Sequence, residues 1–131
     1  MLYLDTSALM KLCHQEDESR TLRRWLDEHR VDWVTSAVTE VELTRAAARV
    51  GPSALSQVPR IIARCDSLEI DERIRADAAV LTPAELRSLD AIHLATALEL
   101  VADLTAFITY DKRLGECARS AGLTVTAPAP S

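Results

Sequence analysis

Aromatic residues are scarce in this chain. Two tryptophans, two tyrosines and one phenylalanine make up 4% of its 131 residues. That is too few for the rows of stacking platforms by which many proteins hold single-stranded nucleic acid. The core must be mostly Leu, Val, Ile and Ala. Cysteine occurs three times, at Cys13, Cys65 and Cys117. An odd number so widely spaced excludes a disulfide framework and a zinc knuckle, and predicts reduced thiols in a cytoplasmic protein. The first residues carry an acid early and no basic stretch, so no signal peptide is expected. No apolar run approaches the ~20 residues of a membrane span. The longest, Ala91 to Ala102, is broken by His93, Thr96 and Glu99. Positive charge is also in deficit: 15 Lys and Arg against 20 Asp and Glu leave a net charge of −5. A broad basic surface for nucleic acid is excluded, but a local basic rim is not. Two divalent cations held among the acids would offset four of those charges.

What is present is an ordinary globular composition, 48% apolar and 27% charged. The length suits one domain, able to bury roughly 65–70% of its unfolded surface. The first seven residues organise the rest. Leu2, Tyr3 and Leu4 suit a buried strand, and Asp5 at its end does not. A helix is expected from Ala8 to Cys13 with Ser7 as its cap, and another from Ser19 to His29. Trp33-Val34-Thr35 reads as a strand, followed by a helix from about Ala37 to Val50, which Gly51-Pro52 stops. Ser53 to Cys65 reads as helix, with Pro59 a problem in its middle. Ser67 to Ile70 is a candidate strand, and Asp71 caps a helix to Leu81. Thr82-Pro83-Ala84-Glu85 has capping-box spacing, and Ser88 is a further candidate cap. Leu89 to Val101 is apolar almost all round, as a helix packed on several sides would be. Ala106 to Thr109 reads as a buried strand, Asp111 as the cap of a helix from Lys112 to Ala121, and Leu123 to Val125 as a last strand.

Strands alternating with helices imply an α/β fold, a parallel sheet covered on both faces. Right-handed crossovers put every strand C-terminus on one edge. Asp5 and Asp111 both fall on that edge, where open α/β sheets bind their ligands. Taken singly, each acid has an ordinary explanation. Asp5 and Asp111 can cap the helices they precede, and Asp90 suits a helix first turn. Glu42 stands three residues after Thr39, at capping-box spacing. Jointly, Asp5, Glu42, Asp90 and Asp111 form a candidate catalytic and metal-binding set. Crowded carboxylates repel by several kcal/mol, and a divalent cation removes that cost. Oxygen-only ligands suit Mg²⁺ or Mn²⁺. Glu40 competes with Glu42, since two residues apart on a helix is about 200° of rotation and only one can face the site. His93, one turn after Asp90, is either a base or ligand, or a hydrogen-bonded residue of a packed interface. Thr6, Ser7 and Thr109 flank the acids and either orient them or bond local backbone.

Four segments carry a resemblance. Leu4-Asp5-Thr6-Ser7-Ala8-Leu9 resembles the opening of a PIN domain, and Val41-Glu42-Leu43-Thr44-Arg45-Ala46 its second acidic motif. Leu86 to Ala95, with Asp90-Ala91-Ile92-His93-Leu94-Ala95, is the most specific match, and Ile108 to Leu114 supplies Asp111. Order and spacing agree over essentially the whole chain, and the compact form resembles the VapC-type toxins of VapBC toxin–antitoxin pairs. The resemblance selects Glu42 over Glu40. It implies a PIN-like three-layer α/β/α fold with a parallel sheet of four to five strands, one PIN domain over 1–126 and a flexible tail over 127–131. It implies a Mg²⁺- or Mn²⁺-dependent endoribonuclease toxin that cuts loops of structured transfer or ribosomal RNA with a metal-activated water. A homodimer and a cognate VapB-type antitoxin come with it. Asp5, Glu42, Asp90 and Asp111 would hold metal, Thr109 and Thr6 would position a carboxylate or water, and Lys11, Arg45, Arg87 and Lys112 are candidates for RNA contact. Trp25, Trp33 and the apolar first helices are candidates for the dimer surface.

Three other readings fit less well. A phosphatase of haloacid-dehalogenase type needs a second aspartate where Ser7 stands. A phosphoacceptor receiver needs an acidic pair in its first loop, which holds one acid. A catalytically silent PIN-like binding or dimer scaffold has no need of all four acids.

Overall fold

Leu2, Tyr3 and Leu4 form β1 (Leu2–Leu4), a strand with no exposed residue, at the centre of the computed structural model, which describes residues 1–131. Its neighbours are β2 (Trp33–Ser36) and β4 (Ala106–Ile108). Outside them lie β3 (Cys65–Leu68) and β5 (Val125–Thr126), and all five strands are parallel in the order β3-β2-β1-β4-β5. The connections are α1 (Thr6–Cys13) and α2 (Ser19–Glu28), then α3 (Val38–Val50) and α4 (Pro52–Ala63). After β3 come α5 (Glu72–Ala79) and α6 (Ser88–Glu99), and α7 (Lys112–Ser120) joins β4 to β5.

Alternate side chains of each strand feed two cores, as the pleat dictates. Leu2, Leu4 and Ile108 pack with Leu9, Leu22, Leu43 and Val58 from α1 to α4. Tyr3, Val34 and Phe107 face the other way, onto Leu94 of α6 and Leu114 of α7. The Tyr3 and Phe107 rings stack with centroids 5.1 Å apart. Each fully buried leucine contributes about 1.5–3 kcal/mol, so the centre of the sheet is the best-anchored part of the chain. The result is the three-layer α/β/α fold with five parallel strands. The chain builds outward from β1 to β3, then crosses back to β4 and β5, so the switch point lies between the C-terminal ends of β1 and β4.

Several local expectations are corrected. The third strand spans Cys65–Leu68, pairing Cys65 with Trp33, rather than Ser67 to Ile70. Pro59 lies inside α4 without ending it, on an exposed face where water can take the hydrogen bond its ring forfeits. Asp5, not Ser7, caps α1, and Arg87 rather than Ser88 holds the cap position of α6. Thr82 to Glu85 takes the short turn, not the new helix, of the two outcomes its spacing allowed, and the last strand begins at Val125 rather than Leu123. Trp33 is buried, with the Arg64 guanidinium 4.1 Å from its ring centroid, which removes it as a dimer surface. Pro128 accepts a 2.6 Å hydrogen bond from Tyr110 Oη. No helix is long and apolar enough to cross a membrane.

Candidate active site

The ends of β1 and β4 bring Asp5 beside Thr109, and from there hydrogen bonds lead to Asp111, Arg87 and Asp90, while Glu42 belongs to a second network with Thr6, His93 and Tyr3. Asp5 is 3% exposed. Its Oδ1 accepts from Ser7 Oγ at 2.7 Å and from the Ala8 amide at 3.0 Å, and its Oδ2 accepts from Thr109 Oγ1 at 2.6 Å. Desolvation nevertheless raises its pKa, outweighing the His93 charge and these three donors. Thr109 Oγ1 also accepts from the Asp111 amide at 3.1 Å, and Ser7 Oγ accepts from the Tyr110 amide. The two hydroxyls thus tie the start of the chain to the loop after β4.

Glu42 projects from α3 toward α1. Its Oε1 accepts from Thr6 Oγ1 at 2.7 Å and pairs with His93 Nε2 of α6 at 2.7 Å. Burial works to raise its pKa, but the bond and charge of His93, the Thr6 hydroxyl and the Arg87 charge together hold it below the ordinary value. Glu40 is exposed, and Thr39 shares its hydroxyl with Thr35 rather than closing a capping box with Glu42. Asp90 lies in the first turn of α6, and Asp111 caps α7 by accepting from the Leu114 amide. Arg87 joins them, with Nε 3.2 Å from Asp90 Oδ2 and an NH2 nitrogen 3.4 Å from Asp111 Oδ2.

Of the other cations, Lys11 is tied to Glu18 at 2.8 Å and Glu16 at 3.3 Å. Lys11 and Lys112 line an open cleft of about 500 Å³ with Thr109, Asp111 and Arg119. Arg119 was not singled out in the sequence, although it falls two turns after Lys112 on the same helix face. Arg45 is exposed on α3 and takes no part in the network. Tyr3 is the other residue sequence reading passed over. Its fully buried hydroxyl lies 2.7 Å from His93 Nδ1. A polar tip on an apolar strand was the available signal, because buried tyrosine hydroxyls find partners.

The side chains form no ready cluster of three or more His, Cys, Asp or Glu that could ligate an ion. Arg87 instead sits as a cation among the acids. The donor set still fits a hard divalent cation. It is all carboxylate oxygen, and the buried Asp5 carries a desolvation cost that positive charge would relieve. The Arg87 side chain is 76% exposed and free to move aside.

A parallel sheet in this order, with Asp5 and Asp111 just after the two strands that flank its switch point, is the architecture of the PIN domain. The chain belongs to that family, whose PIN domain model matches residues 2–120. Within the family it stands among relatives of the VapC group. It is 53% identical to Ribonuclease VapC35 of Mycobacterium tuberculosis over 131 residues, covering 98% of this chain and 97% of the relative. Ribonuclease VapC46 of the same organism is 45% identical over 127 residues, covering 97% of each. Among solved structures, Mycobacterium tuberculosis VapC20, described as a sarcin-ricin loop cleaving toxin, superposes with a TM-score of 0.77 at 16% identity, over 98% of this chain and 100% of that one. FitAcB of Neisseria gonorrhoeae gives 0.75 at 22% identity, over 98% of each chain.

Proposed function

We propose that this chain is an endoribonuclease toxin of a toxin–antitoxin module, dependent on Mg²⁺ or Mn²⁺ and acting on structured cellular RNA. The observation that carries the reading is the tie across the sheet switch point, where Thr109 holds Asp5 while Arg87 spans Asp90 and Asp111. Full-length similarity to named ribonucleases supports it. Asp5, Glu42, Asp90 and Asp111 would hold the ion. When bound, it supplies Lewis-acid stabilisation of charge on phosphoryl oxygens and lowers the pKa of water.

The chain's own residues do the rest. Thr109 and Ser7 fix the Asp5 carboxylate, and Thr6 fixes one oxygen of Glu42. Arg87, once released from the acids, faces a phosphate, with Lys11, Lys112 and Arg119 along the cleft, and Arg45 lies outside it on α3. Water oxygen adds to phosphorus and the 3′-oxygen leaves with a proton, giving 5′-phosphate and 3′-hydroxyl ends. A homodimer and an antitoxin that covers the site complete the reading. Solved relatives of this fold are described as toxin–antitoxin complexes.

The test is cleavage of total cellular RNA by chelator-stripped protein, with Mn²⁺ or Mg²⁺ added back, beside Asp5→Asn prepared identically. Discrete metal-dependent fragments absent from the Asp5→Asn sample establish the activity. Equal cleavage in both samples marks a contaminating nuclease. No cleavage in either, with no Mn²⁺ binding by calorimetry, moves the chain to a binding or dimer scaffold.

A further inference from the structure

A hydrogen-bonded line runs from the inner face of β1 to the candidate site. Tyr3 Oη lies 2.7 Å from His93 Nδ1, and His93 Nε2 lies 2.7 Å from Glu42 Oε1. Tyr3 is fully buried and His93 is 1% exposed, so the Tyr3–His93 link is closed to water, while Glu42 keeps a partly exposed side chain. For a neutral His93 each donor and acceptor follows from its chemistry. A carboxylate only accepts, so His93 Nε2 carries the proton that faces Glu42. In the neutral imidazole Nδ1 is then a bare acceptor, and the Tyr3 hydroxyl donates to it. The Tyr3 ring cannot turn away, because it stacks on Phe107 at 8° and meets His93 edge-on at 83°.

Thr6 and His93 converge on the same oxygen of Glu42. Neither bond uses Oε2. One oxygen is pinned by two donors, and the other takes no hydrogen bond within the protein.

We infer that Tyr3 and His93 are a positioning pair. Tyr3 selects the His93 tautomer whose Nε2–H holds Glu42 Oε1, so that Glu42 Oε2 is presented to the ion. The inference rests on the metal-dependent reading of the site. It gives His93 a role as neither base nor ligand, and it explains a tyrosine at the middle of a strand that is otherwise leucine. Loss of an outer partner of a ligand typically weakens metal binding 10–100-fold, because the ligand is no longer held.

The test uses the full chain, metal-free and then titrated with Mn²⁺. Long-range ¹H–¹⁵N NMR reads the His93 tautomer, and calorimetry reads Mn²⁺ affinity. Tyr3→Phe keeps the ring stack and deletes only the hydroxyl. The expected result is an Nε2–H tautomer in the wild type and a mixture in Tyr3→Phe. Mn²⁺ affinity should fall on the order of tenfold in Tyr3→Phe and in His93→Leu. His93→Gln, whose amide can still donate to Glu42, should recover most of the loss. Thermal unfolding run alongside shows that each variant is folded. An Nδ1–H tautomer in the wild type overturns the inference, and so does unchanged Mn²⁺ affinity in folded Tyr3→Phe. Should the wild type bind no Mn²⁺, the metal reading fails separately. The Glu42 carboxyl ¹³C signal then decides the pair: a signal that Tyr3→Phe shifts supports it, and one left unmoved overturns it.

Discussion

Thr109 donates a 2.6 Å hydrogen bond to Asp5 across 104 positions of sequence, both residues being almost completely buried. A hydrogen bond to a buried carboxylate is worth about 1.5–3 kcal/mol. Thr109→Val keeps the shape and removes the donor, so it should lower unfolding free energy by about that amount. Thr109→Ser keeps the hydroxyl and should cost about 1 kcal/mol, the loss of a buried methyl. Urea denaturation of the two variants separates the bond from the packing.

Asp5 gives the metal-free protein a pH dependence of definite sign. Its folded pKa is raised, chiefly by desolvation. The folded state therefore binds the proton more tightly, and the stability this contributes is full below the unfolded value and lost as pH rises through the folded one. Asp5→Asn carries no such charge. Its stability advantage over the wild type should grow as pH climbs from the ordinary carboxylate range past the raised value. Added Mn²⁺ should narrow that advantage by stabilising the wild type. Chemical denaturation across pH, with and without Mn²⁺, checks both statements. An advantage that shrinks with rising pH would contradict the assignment.

Glu40 and Glu42 separate by function. Glu42→Gln should lower RNA cleavage on the order of a hundredfold, about 2.7 kcal/mol in activation free energy. Glu40→Gln, altering an exposed side chain on the far face of α3, should leave cleavage within about twofold. Rates measured on one RNA at saturating Mn²⁺ decide between them.

Arg87 competes with any cation for Asp90 and Asp111. Its exposed ion pairs are worth under about 1 kcal/mol, so Arg87→Gln should scarcely change stability. Mn²⁺ should bind about threefold to tenfold more tightly, a gain of ~0.7–1.4 kcal/mol. The KM for RNA should rise at the same time, because a phosphate contact is lost. Calorimetry and steady-state kinetics on one preparation read the two opposite effects.

Gly115 offers a gain. It lies within α7, and an added Cβ would meet Thr109 Cγ2 at 3.5 Å and Val125 Cγ1 at 3.6 Å, ordinary contact distances. Gly115→Ala should raise stability by about 0.4–1 kcal/mol through reduced freedom of the unfolded chain. A lower unfolding midpoint would mean that the loop holding Thr109 has no room to accept the methyl.

The sheet was legible because Leu2 to Leu4 and Ala106 to Ile108 are apolar runs bounded by polar residues, and such runs have few uses. The third strand was misplaced because it is an edge strand with a half-exposed pattern. In Cys65–Leu68 the pairing with Trp33 to Ser36 sets the register, and single-strand alternation carries no trace of it. The helix through Pro59 was legible, and why the proline is tolerated was not, because its cost depends on whether its face of the helix meets water, which is a tertiary fact. Of the site, the acids could be read as types at strand and helix ends. Periodicity could not choose Glu42 over Glu40, and only the motif resemblance did, since α3 has to be docked on α1 before either faces anything. The Arg87 bridge and the Tyr3 hydroxyl were hidden for the same reason: each contact spans elements whose relative placement only the packed sheet supplies.

The strand order has a consequence for synthesis. β1 is made first, yet one of its two neighbours is β4, and the partner of Asp5 comes immediately after that strand. A ribosome that has not yet released residue 109 carries a chain whose first carboxylate has no Thr109 and whose central strand has an open edge. The assembled centre therefore cannot exist on a product that stops before Thr109. Any destructive activity it has begins only after that residue is made and β4 has docked on β1.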